Sequence, residues 1–144
     1  MSEISKKLSD NKFIFIYYLD DIKYEKRVNT WFDVGHIIKH CKHKLHREDG
    51  PAIIFKNNKK WYRYGKLHRY NNPAVVYSNG TKKWWVNGKL HRIDGPAIST
   101  NTRGFSWFIN GKKLDTKEVE TWIKNNHVNL KTKEGQIMFI LRFR

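Results

Sequence analysis

The sequence predicts a mainly β protein made of repeated antiparallel β-hairpins in a solenoid or meander, with a short C-terminal helix and terminal strands. Three observations carry this expectation. A unit of 23 residues recurs, with Trp61-Tyr62, Trp84-Trp85 and Trp107-Phe108 spaced 23 and 23, and Gly65, Gly88 and Gly111 in step with them. The tetrad Lys-Leu-His-Arg stands at 44–47, 66–69 and 89–92. Turn signals fall between short β-prone runs, with no helical period between them. A fixed period in the range of about 20–50 residues marks stacked units, because one unit alone cannot bury its apolar face.

The N-terminal segment, 1–43, holds Lys12 to Leu19 and then Ile22 to Val28, two β-prone runs separated by Asp20-Asp21. They predict a hairpin that caps the repeats. Trp31-Phe32-Asp33-Val34-Gly35 reads as a decayed repeat, and His36 to Lys44 as a basic loop. The repeats occupy 44–114. In the second unit Ala74 to Tyr77 is a strand, Asn79-Gly80 a turn and Lys82 to Val86 the returning strand. Asn87-Gly88 turns again into Lys89 to Arg92, and Asp94-Gly95-Pro96 reverses the chain into the third unit. In the C-terminal segment, 115–144, Asp115 and Glu118 resemble a capping box. Val119, Trp122 and Ile123 follow at helical spacing, so a helix is expected over about 116–126. Gln136 to Arg144 is expected to form a terminal strand, pairing with Phe13–Leu19 or with a second copy of the chain. The second option makes a homodimer.

Charge bounds the function. The chain of 144 residues carries a net charge of +16, unevenly spread. Residues 44–114 hold fifteen Lys and Arg against three Asp and Glu, whereas each flanking segment is only slightly basic. Such a field attracts polyanions: nucleic acid, anionic lipid or an acidic protein. The single cysteine, Cys41, excludes an intrachain disulfide and favours a reducing compartment. No apolar run is long enough for a membrane span, and the first residues lack the apolar core of a signal peptide. An intracellular, non-secreted protein is the expectation.

The residues that invite chemical readings fit structural ones better. His46, His68 and His91, with Arg47, Arg92, Asp49 and Asp94, could suggest catalytic pairs, but no nucleophile recurs beside them. Instead Asp49-Gly50 and Asp94-Gly95 form turns, Arg47 and Arg92 pair with the carboxylates two residues on, and Pro51 and Pro96 set the backbone into the next strand. In the middle unit Asn71-Asn72 replaces Asp-Gly, leaving Arg69 without its charge partner. Alternation puts Trp61, Trp84 and Trp107 on one side and Tyr62, Trp85 and Phe108 on the other. One row belongs to the core; the other is a candidate stacking platform for bases. His36, His40, Cys41, His43 and His46 crowd together, but their spacing matches no zinc finger and lysines interleave them. No metal, no other cofactor and no small-molecule substrate are expected.

Leu-His-Arg-x-Asp-Gly-Pro-Ala at 45–52 and 90–97, with its decayed copy at 67–74, resembles the variant MORN-like repeats of large DNA viruses of amoebae and of some phages. The resemblance covers 44–114 and implies a β-hairpin solenoid, a binding or structural role, and a viral protein of the virion, host cytoplasm or nucleus. The unit departs from the usual MORN consensus, which opens with Tyr-x-Gly.

Together these readings predict a non-enzymatic basic repeat protein that binds DNA or RNA non-specifically. The alternative is a scaffold or a module for anionic membrane surfaces. The candidate contacts are Lys59, Lys60, Lys82, Lys83, Lys112 and Lys113, with Arg63 and Arg103 beside them.

Overall fold

A computed structural model describes residues 13–19, 21–28, 44–102 and 104–144. Its architecture is mainly β, in antiparallel hairpins, with helices at the C-terminal end. The expected hairpin forms from β1 (Phe13–Leu19) and β2 (Ile22–Val28), paired from Phe13↔Val28 to Leu19↔Ile22. The proposed decayed repeat at 31–35 and the histidine-rich loop up to His43 lie outside the described residues.

Each repeat contributes two hairpins. The first joins the large sheet: β3 (Ile53–Phe55) with β4 (Asn58–Lys60), β7 (Val75–Val76) with β8 (Lys82–Lys83), and β11 (Ile98–Ser99) with β12 (Phe105–Ser106). The second forms a separate two-stranded unit: β5 (Tyr62–Arg63) with β6 (Lys66–Leu67), β9 (Trp85–Val86) with β10 (Lys89–Leu90), and β13 (Phe108–Ile109) with β14 (Lys112–Lys113). The large sheet has eight antiparallel strands in the order β12-β11-β8-β7-β4-β3-β1-β2. The second hairpins turn tightly. Tyr64-Gly65, Asn87-Gly88 and Asn110-Gly111 all have positive φ, the geometry of a type I′ turn, which suits Asn and Gly.

A tryptophan stands at the corner between the two hairpins of each repeat. Trp61 and Trp84 donate backbone N–H to Ala74 and Ala97, and accept from His68 and His91 at their own carbonyls. Tyr18 of β1 makes the equivalent pair of bonds, to Ala52 and from His46. The N-terminal hairpin therefore supplies the missing first corner, which the irregular spacing of the first unit conceals. The three alanines are fully buried.

An arginine lies over each of the first three corner rings. The guanidinium of Arg47 sits 3.9 Å from the Tyr18 ring centre, Arg69 4.0 Å from Trp61 and Arg92 3.8 Å from Trp84. Each also donates to the proline carbonyl four residues on: Pro51, Pro73 and Pro96. Arg47 and Arg92 pair with Asp49 and Asp94 at 2.7 and 2.6 Å. Their guanidinium groups hold both carboxyls below the usual carboxylate range. The glycines of this block allow close approach: a Cβ on Gly50 would stand 2.7 Å from the guanidinium carbon of Arg47. In the middle unit Asn71 takes positive φ and Arg69 keeps only its ring and its carbonyl.

The fourth corner ends the series. Leu114 donates its backbone N–H to the Trp107 carbonyl, as His68 and His91 do to theirs, so leucine stands where a histidine would. Asp115, in the arginine position, accepts from the Glu118 backbone N–H and caps α1 (Thr116–Asn125). This helix matches the expected one to within a residue.

The expected terminal strand at 136–144 is corrected: these residues lie in helix α2 (Lys133–Phe143) and its cap. Thr132 caps it by accepting from the Gly135 N–H at 3.1 Å. Gly135, Phe139 and Phe143 are buried at intervals of four, one face of a helix. That burial overrides the β-preference of Ile137, Phe139 and Ile140. Gly135 is the close-approach point, because a Cβ there would collide with the Asn129 carbonyl. Phe139 packs at 5.5 Å against Trp107, covering the one corner ring that no arginine covers. Trp107, Ile109, Leu114, Val119, Leu130, Phe139 and Phe143 form one core cluster. Both aromatic rows lie partly or wholly inside: Trp107 is buried, and Trp61, Trp84, Tyr62, Trp85 and Phe108 are half-buried.

Two stability predictions follow from these corners. Phe139→Ala costs about 3–5 kcal/mol in urea unfolding, because it leaves a cavity against Trp107. Arg92→Lys keeps the charge but loses the flat fork that serves Trp84, Asp94 and Pro96 together, and costs about 1–2 kcal/mol. Arg69→Lys, with no carboxylate to lose, costs less; equal losses would show that the carboxylate adds nothing.

Candidate polyanion interface

Strand register divides the predicted cations. Lys60 and Lys83 both lie beside Val75, with Ile53 next to Lys60 and Ile98 next to Lys83. Lys59 and Lys82 both lie beside Val76, one residue away and therefore on the opposite face. The first face is the more buried: Ile53 and Val75 are 0% and 2% exposed. Burial, then the charge of Lys83, pulls the Lys60 amine below its ordinary pKa. Lys83 lies 5.5 Å from the centre of the Tyr77 ring. Lys59 and Lys82 are exposed. Lys112 and Lys113 belong to the separate hairpin β13–β14, and both are exposed. Arg63 is exposed near Tyr64 and Tyr70. Arg103 lies outside the described residues. The six lysines thus fall into three groups rather than one line.

A different set does form a line. The stems of Lys44, Lys66 and Lys89 lie over the turn glycines of the next unit, Gly65, Gly88 and Gly111, 3.4 to 3.9 Å from where a Cβ would stand. Glycine is needed at these places twice over, for the positive φ and for the lysine laid across it. Lys112 holds the same position in the last unit, 23 residues after Lys89. All four lysines are exposed. Each unit adds two strands to the large sheet, about 10 Å of stack, so the column runs for about 30 Å. Sequence reading had the signal in the Lys-Leu-His-Arg tetrads but drew its contacts mainly from the lysine pairs beside tryptophan.

The acids of the repeats do little to offset this column. Asp49 and Asp94 are engaged by Arg47 and Arg92, and Asp94 also meets Lys131 at 3.5 Å. Glu48 is the remaining acid in 44–114, and it lies 3.8 Å from the His46 imidazole.

The histidines hold this edge in register. Nδ1 of His46, His68 and His91 accepts the backbone N–H of Tyr64, Asn87 and Asn110, each at 3.1 Å. These donors open the turns beneath the lysine column. An imidazole that accepts at Nδ1 is neutral and carries its proton on Nε2. Burial lowers the pKa of His68, with the charge of Arg63 adding and a hydrogen bond to Asn87 opposing; burial alone lowers that of His91. Each recurrent histidine is thus bonded into a turn of the following unit. His46 is the one member of the crowded histidine and cysteine set among the described residues. Within those residues no three His, Cys, Asp or Glu side chains gather as metal ligands. No helix among them is long and apolar enough to cross a membrane.

No family model, curated protein or solved structure matches this chain.

The latches set a pH dependence. A histidine whose folded pKa lies below its ordinary 6.5 contributes stability that is complete above that value and is lost as pH falls below it. Asp49 and Asp94, also lowered in the fold, act in a separate window below 3.8. The urea midpoint therefore drops between about pH 7.5 and pH 5, the interval in which free histidine gains its proton. Replacing both His68 and His91 by Leu lowers stability at the higher pH by about 1–3 kcal/mol, because two turn N–H groups lose their acceptor. The same change removes most of the drop; a drop of undiminished size would place its cause elsewhere.

Proposed function

We propose that the protein is a non-enzymatic module that binds linear polyanions, nucleic acid first among them, along its repeat edge. The observation that carries this reading is the column Lys44, Lys66, Lys89 and Lys112, one exposed cation per unit, the first three laid over the turn glycine of the next unit. Duplex DNA presents about one charge per 1.7 Å of axis, so a line of about 30 Å meets a phosphate at every lysine whatever the sequence. Side chains laid over a rigid turn also lose less freedom on binding than free lysines do. The repeat field extends the attraction beyond the column, since fifteen basic residues stand against three acids in 44–114. The likeness of the octapeptide to MORN-like repeats agrees with a binding role. Lys59, Lys82 and Lys113 are exposed cations outside the column that add to its field.

Anisotropy with labelled duplex DNA tests this. Four phosphate contacts predict a loss of affinity of roughly a hundredfold between about 50 and 200 mM salt. Changing Lys44, Lys66, Lys89 and Lys112 to Gln removes the four charges and, at the first three, keeps an aliphatic stem over the glycine. The quadruple variant is expected to bind at least about tenfold more weakly and to lose most of the salt dependence, with its urea midpoint unchanged. Unaltered affinity sinks the column assignment. Weak DNA binding alongside adsorption to anionic vesicles supports the membrane-surface alternative instead.

A further inference from the structure

Helix α2 buries one face in the C-terminal core and leaves another uncovered among the described residues. Ile137, Met138 and Leu141 are 58%, 45% and 62% exposed, and they fall on one ridge at helical spacing. Three large apolar side chains gathered on one outward face mark an interaction site more than chance exposure does. Glu134 and Arg144 extend the same ridge at its two ends, and both are exposed. Arg142, the other basic residue near the C-terminal end, is already engaged with Glu118 at 2.8 Å. Neither Glu134 nor Arg144 forms an ion pair within the described residues.

The order of these residues fits the ridge to itself. Ile137 and Leu141 share a midpoint with Glu134 and Arg144. A two-fold axis at that midpoint sets Ile137 against the partner's Leu141 and Glu134 against the partner's Arg144. Met138, one residue from the midpoint, meets the partner's Met138 and adapts to it, being unbranched. The pairing is antiparallel, so the two helix dipoles oppose favourably. Each charge at one end of the ridge finds its opposite at both ends of the contact, as an isologous interface requires.

We infer that the outward ridge of α2 docks a second copy of this chain in an antiparallel, two-fold helix pair. This replaces the strand-mediated dimer expected from sequence with a helix-mediated one. An 11-residue helix offers less than the about 1,200 Å² typical of stable complexes, so the dimer is weak and depends on concentration.

Sedimentation velocity on nuclease-treated protein over a concentration series, at moderate salt, reads this directly. The wild type is expected to move from monomer to dimer as concentration rises. Leu141→Lys weakens association roughly tenfold or more, and its urea midpoint holds because the side chain is exposed in the monomer. Glu134→Arg and Arg144→Glu each weaken association, and the two together restore it. A wild type that stays monomeric throughout overturns the proposal. So does a dimer indifferent to Leu141→Lys, or a double charge reversal that restores nothing. Anionic-vesicle binding that Leu141→Lys abolishes, with no self-association, assigns the ridge to a lipid surface and overturns the proposal as well.

Discussion

The fold rests on what happens at one aromatic ring per unit. At Trp61, Trp84 and Trp107 the chain leaves the large sheet and the ring separates the first hairpin from the second, while Tyr18, within β1, makes the equivalent backbone bonds for the first unit. At Tyr18, Trp61 and Trp84 the backbone N–H and C=O are both hydrogen-bonded and a guanidinium lies over the ring, and at Trp107 Phe139 packs against it. A cation over an aromatic face stabilises modestly, by about 0.5–2 kcal/mol. Its larger effect is geometric. The same guanidinium fastens the proline carbonyl beyond the turn, so ring, turn and following strand are fixed together. Strands of two or three residues could not hold register by pairing alone.

Two rules of strand geometry decide how charge is distributed. Adjacent lysines in a strand face opposite ways, which splits Lys59 from Lys60 and Lys82 from Lys83. Residues one unit apart superpose, which gathers Lys44, Lys66, Lys89 and Lys112. A repeat protein therefore builds a continuous feature from a single position copied in every unit, while a doublet within one unit contributes to two surfaces. The half-burial of Lys60 shows the cost of the first rule. Its charge lies toward the apolar row, and its pKa falls accordingly.

Much of this was legible in the sequence, and the rest was hidden for identifiable reasons. The period, the hairpins, the Arg–Asp corners and the first helix could be read because each depends on residues close together in the chain. Tyr18 as the first corner was not, since it precedes its arginine by 29 residues where the other units use eight. Residues 136–144 read as a strand because Ile and Phe favour strands, whereas the decisive quantity was burial of Gly135, Phe139 and Phe143 on one side. Gly135 argued against a helix locally and serves it tertiarily, by letting the Asn129 carbonyl come close. The histidine latches were invisible for a different reason: each reaches a turn 18 or 19 residues ahead, in the following unit.

The ends of the array differ from its middle by very little. At the start a tyrosine from a hairpin stands in for tryptophan; at the finish leucine and aspartate replace histidine and arginine, and a helix grows from the aspartate. Start and termination are thus written in three side chains, and neither end needs to know how many units lie between. A gene encoding such a chain gains or loses whole units by in-frame duplication or deletion and keeps both ends intact. The length of the repeat edge then becomes a quantity that evolution adjusts in steps of about 10 Å, without redesigning a core.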